Sequence, residues 1–329
     1  MLRCTALWVV GICCGVLLQG AALADDPYPV KPINMIIPFP PGGITDLTGR
    51  PTAAAMERVL KQKIVIENKA GAGGGVGMAL AAKSRPDGYT QLMALSSISI
   101  IPEADRVLDR SPMYQLEDFA PVALISAEPT MLVVRADSPW KTAKEFVEDA
   151  RRRPDAITYS SSGIYGSLHV AMETLALAAN IRLHHIPYTG AGPAVIALIG
   201  GHVDAVATAT GTVIQQIRAG KLRALAGWGE TRIAALPEVP TLKELGYDAE
   251  FYVWSGLFAP AGTPAPVMTI LRDAARQAVQ DPQFKDAMAG IDTPIAYLDA
   301  PEFQKFWDRD TRRLTAVVKK IGRVEEGRN

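Results

Sequence analysis

An α/β fold in two lobes follows from three features of the sequence. Short apolar runs alternate with amphipathic stretches along the chain, the pattern of parallel strands covered by helices. The 329 residues, less an N-terminal leader, favour two domains over one. Loops of Gly, Ser, Thr and Pro recur between strand and helix, where ligands of such sheets bind.

The leader comes first. Arg3 supplies a positive start, residues 4 to 23 are almost wholly apolar or small, and Ala22-Leu23-Ala24 precedes Asp25. That is the layout of a secretory signal peptide, residues 1–24, cleaved after Ala24. A retained anchor is the other reading of about twenty apolar residues, but the cleavage site and the polar "DDPYP" favour removal. Cys4, Cys13 and Cys14 all lie in this leader, so the exported chain holds no thiol and must be stabilised by its core. Without Arg3 it carries 33 basic and 34 acidic residues, a balance that suits neither nucleic acid nor an anionic membrane. The exported chain works outside the cytoplasmic membrane.

After the leader, "INMIIPF" reads as a buried strand and "TAAAMERVL" as a helix. "QKIVIENKAG" is a strand ending in glycines, "VGMALAAKSRPDG" a helix ending near Pro86, and "YTQLMALSS" the next strand. "TMLVVRAD" begins a second series. In "TAKEFVEDARRR", Thr142 and Glu145 form a capping box, and Ala143, Phe146, Val147 and Ala150 share one helical face. "ITYSSSG", "GSLHVAMETLALAAN", "LHHIPYTG", "PAVIALIGG", "VDAVATAT", "TVIQQIRAG" and "LRALAGW" continue the alternation, with Pro193 at a helix start. Proline-bearing stretches near 121–129 and 237–240 read as connections. Pro51 predicts either a kink or a helix that starts late, with Thr48 as N-cap.

Catalytic constellations fail one by one. "GAGGGVG" has Val76 where a dinucleotide loop needs its third glycine, and no G-K-[ST] follows. There is no G-x-S-x-G elbow. His184 and His185 alternate across a strand and point to opposite faces. His169 and Glu173 share a helical face, but no third ligand is apparent. The sequence therefore implies no cofactor, no metal and no catalytic residue. What recurs is a strand, a glycine- and hydroxyl-rich loop, then a helix start, at "PFPPGGITD", "KAGAGGGVG", "SSSGIYGSLH", "PYTGAGPA" and less clearly "TATGT". Helix starts present unpaired N–H groups and about half a positive charge, which suits an anion.

Together, "YPVKPINMIIPFPPGGITD", "IENKAGAGGGVG", "PDGYTQLMA", "YSSSGIYGSLH", "HIPYTGAGPAVIALIGGHVD", "IRAGKLRALA", "LPEVPTLKELGY" and "WSGLFAPAGTP" resemble the extracytoplasmic solute receptors of tripartite tricarboxylate transporters, the Bug family. The resemblance implies a type II periplasmic-binding-protein fold, a Venus flytrap with its cleft between lobes. It places lobe 1 at 25–123 plus 252–329 and lobe 2 at 124–251. It implies a monomeric, non-enzymatic receptor for a di- or tricarboxylate or an aromatic acid, delivered to a membrane permease. A sensor for a similar acid and a serine hydrolase using Ser161 or Ser162 with His169 are the alternatives.

The resemblance also implies the ligand-binding residues. In the first lobe these are Phe39, Pro40, Gly42, Gly43, Thr45, Asp46, Ala72 and Gly73. In the second they are Ser161, Ser162, Gly163, Ser167, His169, Tyr188, Thr189 and Gly190, with Thr208 and Thr210. Thr189 stands where many relatives carry lysine, and "SSISIIPEADRVLDRSPMY" departs from the commoner asparagine-proline segment.

Overall fold

A computed structural model describes residues 28–324, so the leader and its cleavage site lie outside the described residues. The chain opens with β1 (Ile33–Ile37), α1 (Ile44–Leu60), β2 (Ile64–Asn68), α2 (Gly75–Ala82), β3 (Thr90–Leu95), α3 (Ser97–Val107) and β4 (Phe119–Pro129). It continues through β5 (Met131–Arg135), α4 (Ala143–Arg152), β6 (Thr158–Ser161), α5 (Ser167–Ala179), β7 (His184–Pro187), α6 (Ala191–Ile199), β8 (Ala205–Thr208), α7 (Thr210–Arg218) and β9 (Leu222–Gly227). It returns through β10 (Tyr252–Pro260), α8 (Ala265–Ala278), α9 (Pro282–Gly290), β11 (Ile295–Asp299) and α10 (Ala300–Ile321).

Two sheets result, ordered β11-β4-β10-β3-β1-β2 and β7-β6-β8-β5-β9. In the first, β1 runs parallel to β2 and β3; in the second, β6 runs parallel to β7 and β8. Each parallel trio sends its loops out at one edge, where strands hand over to helices. The chain crosses between sheets at Thr130 and again between β9 and β10. The crossings are tied together: Thr130 N–H donates to Phe251 O (3.2 Å), and Trp228 N–H donates to Thr130 O (2.8 Å). β4 stays in the first sheet to Pro129, so a lobe border at 123/124 falls inside a strand.

The cores are apolar on the faces that the periodicity marks. Val122, Ile125 and Leu257 meet Leu271, Phe284 and Met288 on one side of the first sheet. Trp254, Phe258, Phe303 and Trp307 pack together elsewhere, with Trp254 Nε1–H donating to Asp310 Oδ2 at 2.7 Å. Met131, Val133, Leu198, Val206 and Val213 fill the second lobe. Each such buried side chain contributes about 1.5–3 kcal/mol.

Two sequence expectations need correction. The 121–129 stretch is not a connection: its Val122, Leu124 and Ile125 are fully buried in β4, the longest strand of the first sheet. Nor does the first helix start at Thr48. It starts at Ile44 with Gly43 as N-cap and runs through Pro51. Pro51 offers no N–H for the turn before it. On that helix Thr48 Oγ1 donates to Ile44 O (2.8 Å) and Thr52 Oγ1 to Thr48 O (2.7 Å), back-bonding that helices tolerate with a slight bend.

Candidate functional site

Helix starts differ across the molecule. Side chains at the N-cap hold three: Thr142 accepts from Glu145 N–H on α4, Asp281 from Phe284 N–H on α9, and Asp299 from Ala300 N–H on α10. α3, α7 and α8 start at Ser96, Ala209 and Pro264 without such a cap. α1, α2, α5 and α6 instead have glycine at the N-cap, Gly43, Gly74, Gly166 and Gly190, and no side-chain cap. Two of the four belong to each lobe, and they meet. A methyl on Gly43 would lie 3.5 Å from Ala191 Cβ, and one on Gly190 would lie 2.5 Å from Pro40 Cδ. One on Gly73 would lie 3.1 Å from both Gly166 N and Ile164 O, and one on Gly163 would lie 2.9 Å from Gly73 N. Four positive helix ends therefore converge on one junction, with backbone where side chains would otherwise stand.

In the first lobe, Phe39 is buried with Ile44, Leu95, Ala209 and Val253, an apolar cluster that crosses the lobes. Pro40 supplies the ring facing Gly190. Gly42 (φ +87°) turns the loop, and its N–H donates to Asp46 Oδ2 (3.2 Å). Asp46 also accepts from Arg50 Nε (2.9 Å) and Asn68 Nδ2 (3.2 Å). Burial pushes the Asp46 carboxyl up, but these hydrogen bonds outweigh burial and hold it below its usual range. Asp46 thus braces the loop from its own lobe. Thr45 is buried beside it, and Ala72 and Gly73 form the turn ahead of α2.

The second-lobe residues divide into those at the junction and those behind it. Ser167 Oγ accepts from Ser96 Oγ of the first lobe at 2.8 Å. Ser162 Oγ and Thr208 Oγ1 are buried without a partner; both stand where the adjacent parallel strands β6 and β8 end. Tyr188 is half-buried, Thr189 is exposed, and Gly190 is buried against Pro40. Ser161 Oγ lies 2.7 Å from His185 Nε2 and accepts from Gly163 N–H at 3.2 Å. His169 sits behind the loop, its Nδ1 accepting from Tyr165 N–H (3.1 Å) and its ring stacked on His185 at 4.2 Å. The Ser–His169 pair that a hydrolase would need does not form.

His185 was not among the sequence candidates. Burial, with the neighbouring His184 adding to it, lowers its pKa to about 4, and burial drives His169 lower as well. Both rings are neutral braces. The available signal was the alternation in "LHHIPYTG", which sends one histidine inward beside Tyr159, its partner in the β6–β7 register. Glu128 was also missed. It is buried at the end of β4 and accepts from Thr210 N–H (3.0 Å) and Thr293 Oγ1 (3.3 Å). The start of α7, the fifth glycine-rich loop, is therefore occupied by the chain's own carboxyl. Burial raises that carboxyl to about 7, against the hydrogen bonds from Thr210 and Thr293.

Among the described residues no group of three or more His, Cys, Asp or Glu side chains is placed to hold a metal. Beside Gly73 and Gly163 a cavity of about 470 Å³ opens between the lobes, reaching Tyr188 and Thr189.

Known proteins resemble this chain over most of its length. Residues 49–323 match the family model described as "Tripartite tricarboxylate transporter family receptor". The solved periplasmic binding protein BugD is 32% identical, covering 90% of this chain and 99% of its own, at a TM-score of 0.84. MatC from Rhodopseudomonas palustris, solved with bound malate, is 28% identical over 88% of this chain and 100% of its own, at 0.82. An R. palustris protein solved with adipate is 26% identical over 90% and 98%, at 0.83.

Proposed function

Because the chain belongs to the tripartite tricarboxylate transporter receptor family, we propose that it captures a small organic carboxylate between its lobes and passes it to a membrane permease. The fold is that of the family's two-lobed periplasmic receptors. The observation that carries the reading is the meeting of four glycine-capped helix starts, two from each lobe. A carboxylate there accepts backbone N–H groups and lies at the positive ends of the helix dipoles. Malate and adipate, the ligands of the two R. palustris proteins, are both carboxylates.

Capture is closure without bond-making. The loops at 38–43 and 71–74 form one jaw, and those at 161–167 and 188–190 form the other. The unpartnered hydroxyls of Ser162 and Thr208 gain acceptors when the anion arrives, which favours the loaded, closed state. The protein acts as a monomer in the periplasm after its leader is cut behind Ala24. Mass spectrometry of the exported chain checks that cut.

A thermal-shift screen of the purified protein against carboxylic acids tests the reading. An acid at about a hundred times its Kd adds about 2.7 kcal/mol to stability. If no acid raises the melting temperature while the matching amides do, the site is not a carboxylate site.

A further inference from the structure

The proposed carboxylate site continues into the interlobe cavity, whose walls specify the rest of the ligand. The first-lobe wall is one stripe of α3 with the segment behind it. Ile101, Ala104 and Leu108 recur at i, i+3 and i+7, and Met113 closes the wall. Ile164 faces them from the second lobe.

Among the charged residues lining the cavity, Asp105 and Arg110 carry opposite charges, so their formal charges cancel. Asp105 Oδ2 accepts from Met113 N–H at 3.2 Å. The cavity thus has no surplus positive charge for a second or third ligand carboxylate. Beyond Arg110, whose charge Asp105 balances, and the hydroxyls of Tyr165, Tyr188 and Thr189, the side chains lining the cavity are apolar, so such a group would lose its hydration for few donors, which costs several kcal/mol. An apolar body releases water from the same walls and stabilises the complex.

We infer that the ligand is a monocarboxylic acid with an apolar body, an aromatic ring or an aliphatic chain, seated against Ile101, Leu108, Met113 and Ile164 while its carboxylate meets the glycine loops. The inference rests on the carboxylate reading above and narrows it. A cavity of about 470 Å³ falls within the usual range for small-molecule sites and is lined mostly by apolar groups, as such sites are.

Isothermal titration of the purified protein with butyrate, hexanoate, octanoate, benzoate, malate and citrate tests it. Each methylene moved from water to the apolar wall tightens binding about fourfold, so hexanoate should bind about fifteenfold more tightly than butyrate. Benzoate should outrank malate and citrate. Leu108→Gln and Met113→Gln, both at half-buried positions, should flatten the chain-length gradient, weakening hexanoate more than butyrate. If malate or citrate binds more tightly than hexanoate and benzoate, the apolar body is refuted and the carboxylate site stands. A gradient that survives both substitutions refutes its placement against α3. Failure of every acid to bind removes the carboxylate site itself.

Discussion

Gly190→Ala isolates lobe closure from folding. Gly190 has φ 175°, extended backbone open to any residue, so alanine adds no strain inside the second lobe. The added methyl instead meets the other lobe, 2.5 Å from Pro40 Cδ and 2.7 Å from Pro40 Cγ. Carbon atoms in contact prefer about 3.5–4.0 Å, so the methyl intrudes by about 1–1.5 Å on a rigid ring. Separating the lobes relieves the clash, and the cost therefore falls on the closed state. Overpacking of this size costs about 1–3 kcal/mol, which weakens ligand binding about 5- to 150-fold. Titration calorimetry reads the affinity, and small-angle scattering with and without ligand reads compaction. Gly43→Ala is the control: its methyl lies at an ordinary 3.5 Å from Ala191 Cβ and should disturb closure far less. If Gly190→Ala binds and compacts like the wild type, the loops do not meet in the loaded state and the closure argument is wrong.

Three further outcomes follow from the buried groups. Asp46→Ala releases Gly42, Arg50 and Asn68 from one carboxylate; affinity should fall by about tenfold, while circular dichroism shows an intact fold. Glu128, at about 7 in the folded protein against an ordinary 4.5, binds its proton more tightly folded than unfolded. Its stabilising contribution is complete below pH 4.5 and is lost as pH rises to about 7, on the order of 3 kcal/mol. Glu128→Gln should remove that decline in chemical-denaturation curves between pH 5 and 8; an unchanged slope assigns it to another group. His185 has the opposite sign: depressed from 6.5 to about 4, it contributes fully above pH 6.5 and loses the contribution as pH falls to about 4. His185→Ala should flatten that acid limb and lower ligand affinity by loosening Ser161 and the 161–166 loop, and wild-type affinity would remove His185 as a brace.

The parts of the site made of backbone were legible because their signature is local. A run such as "PFPPGGITD" declares a strand end, a turn and a helix start within a few residues, and the structure has β1 and α1 on either side of it. The braces were not legible because they are long-range. Ser161 meets His185 from the next strand, Ser96 meets Ser167 across the lobes, and Glu128 reaches Thr210 and Thr293 from a strand between them. Pro51 misled for a related reason. Its local cost is real, but Gly43 starts the helix at the junction, and the interlobe contacts of Pro40 and Ile44 favour that start over the later one.

The same division explains why candidates chosen for their polar side chains fare differently from the glycines. Asp46 and His169 are bonded to their own loops, and the start of α7 is already filled by Glu128. A side chain that reached into the junction would satisfy the helix ends in the absence of ligand, as Glu128 does at α7, and leave an incoming anion less to gain. Glycine at the other four starts keeps their N–H groups unclaimed by side chains while letting the two backbones approach. Closure is therefore most sensitive at Gly190, the one of the four where an added methyl runs into the opposite lobe, at Pro40; holding the lobes apart there keeps the two sets of helix ends from meeting around one anion.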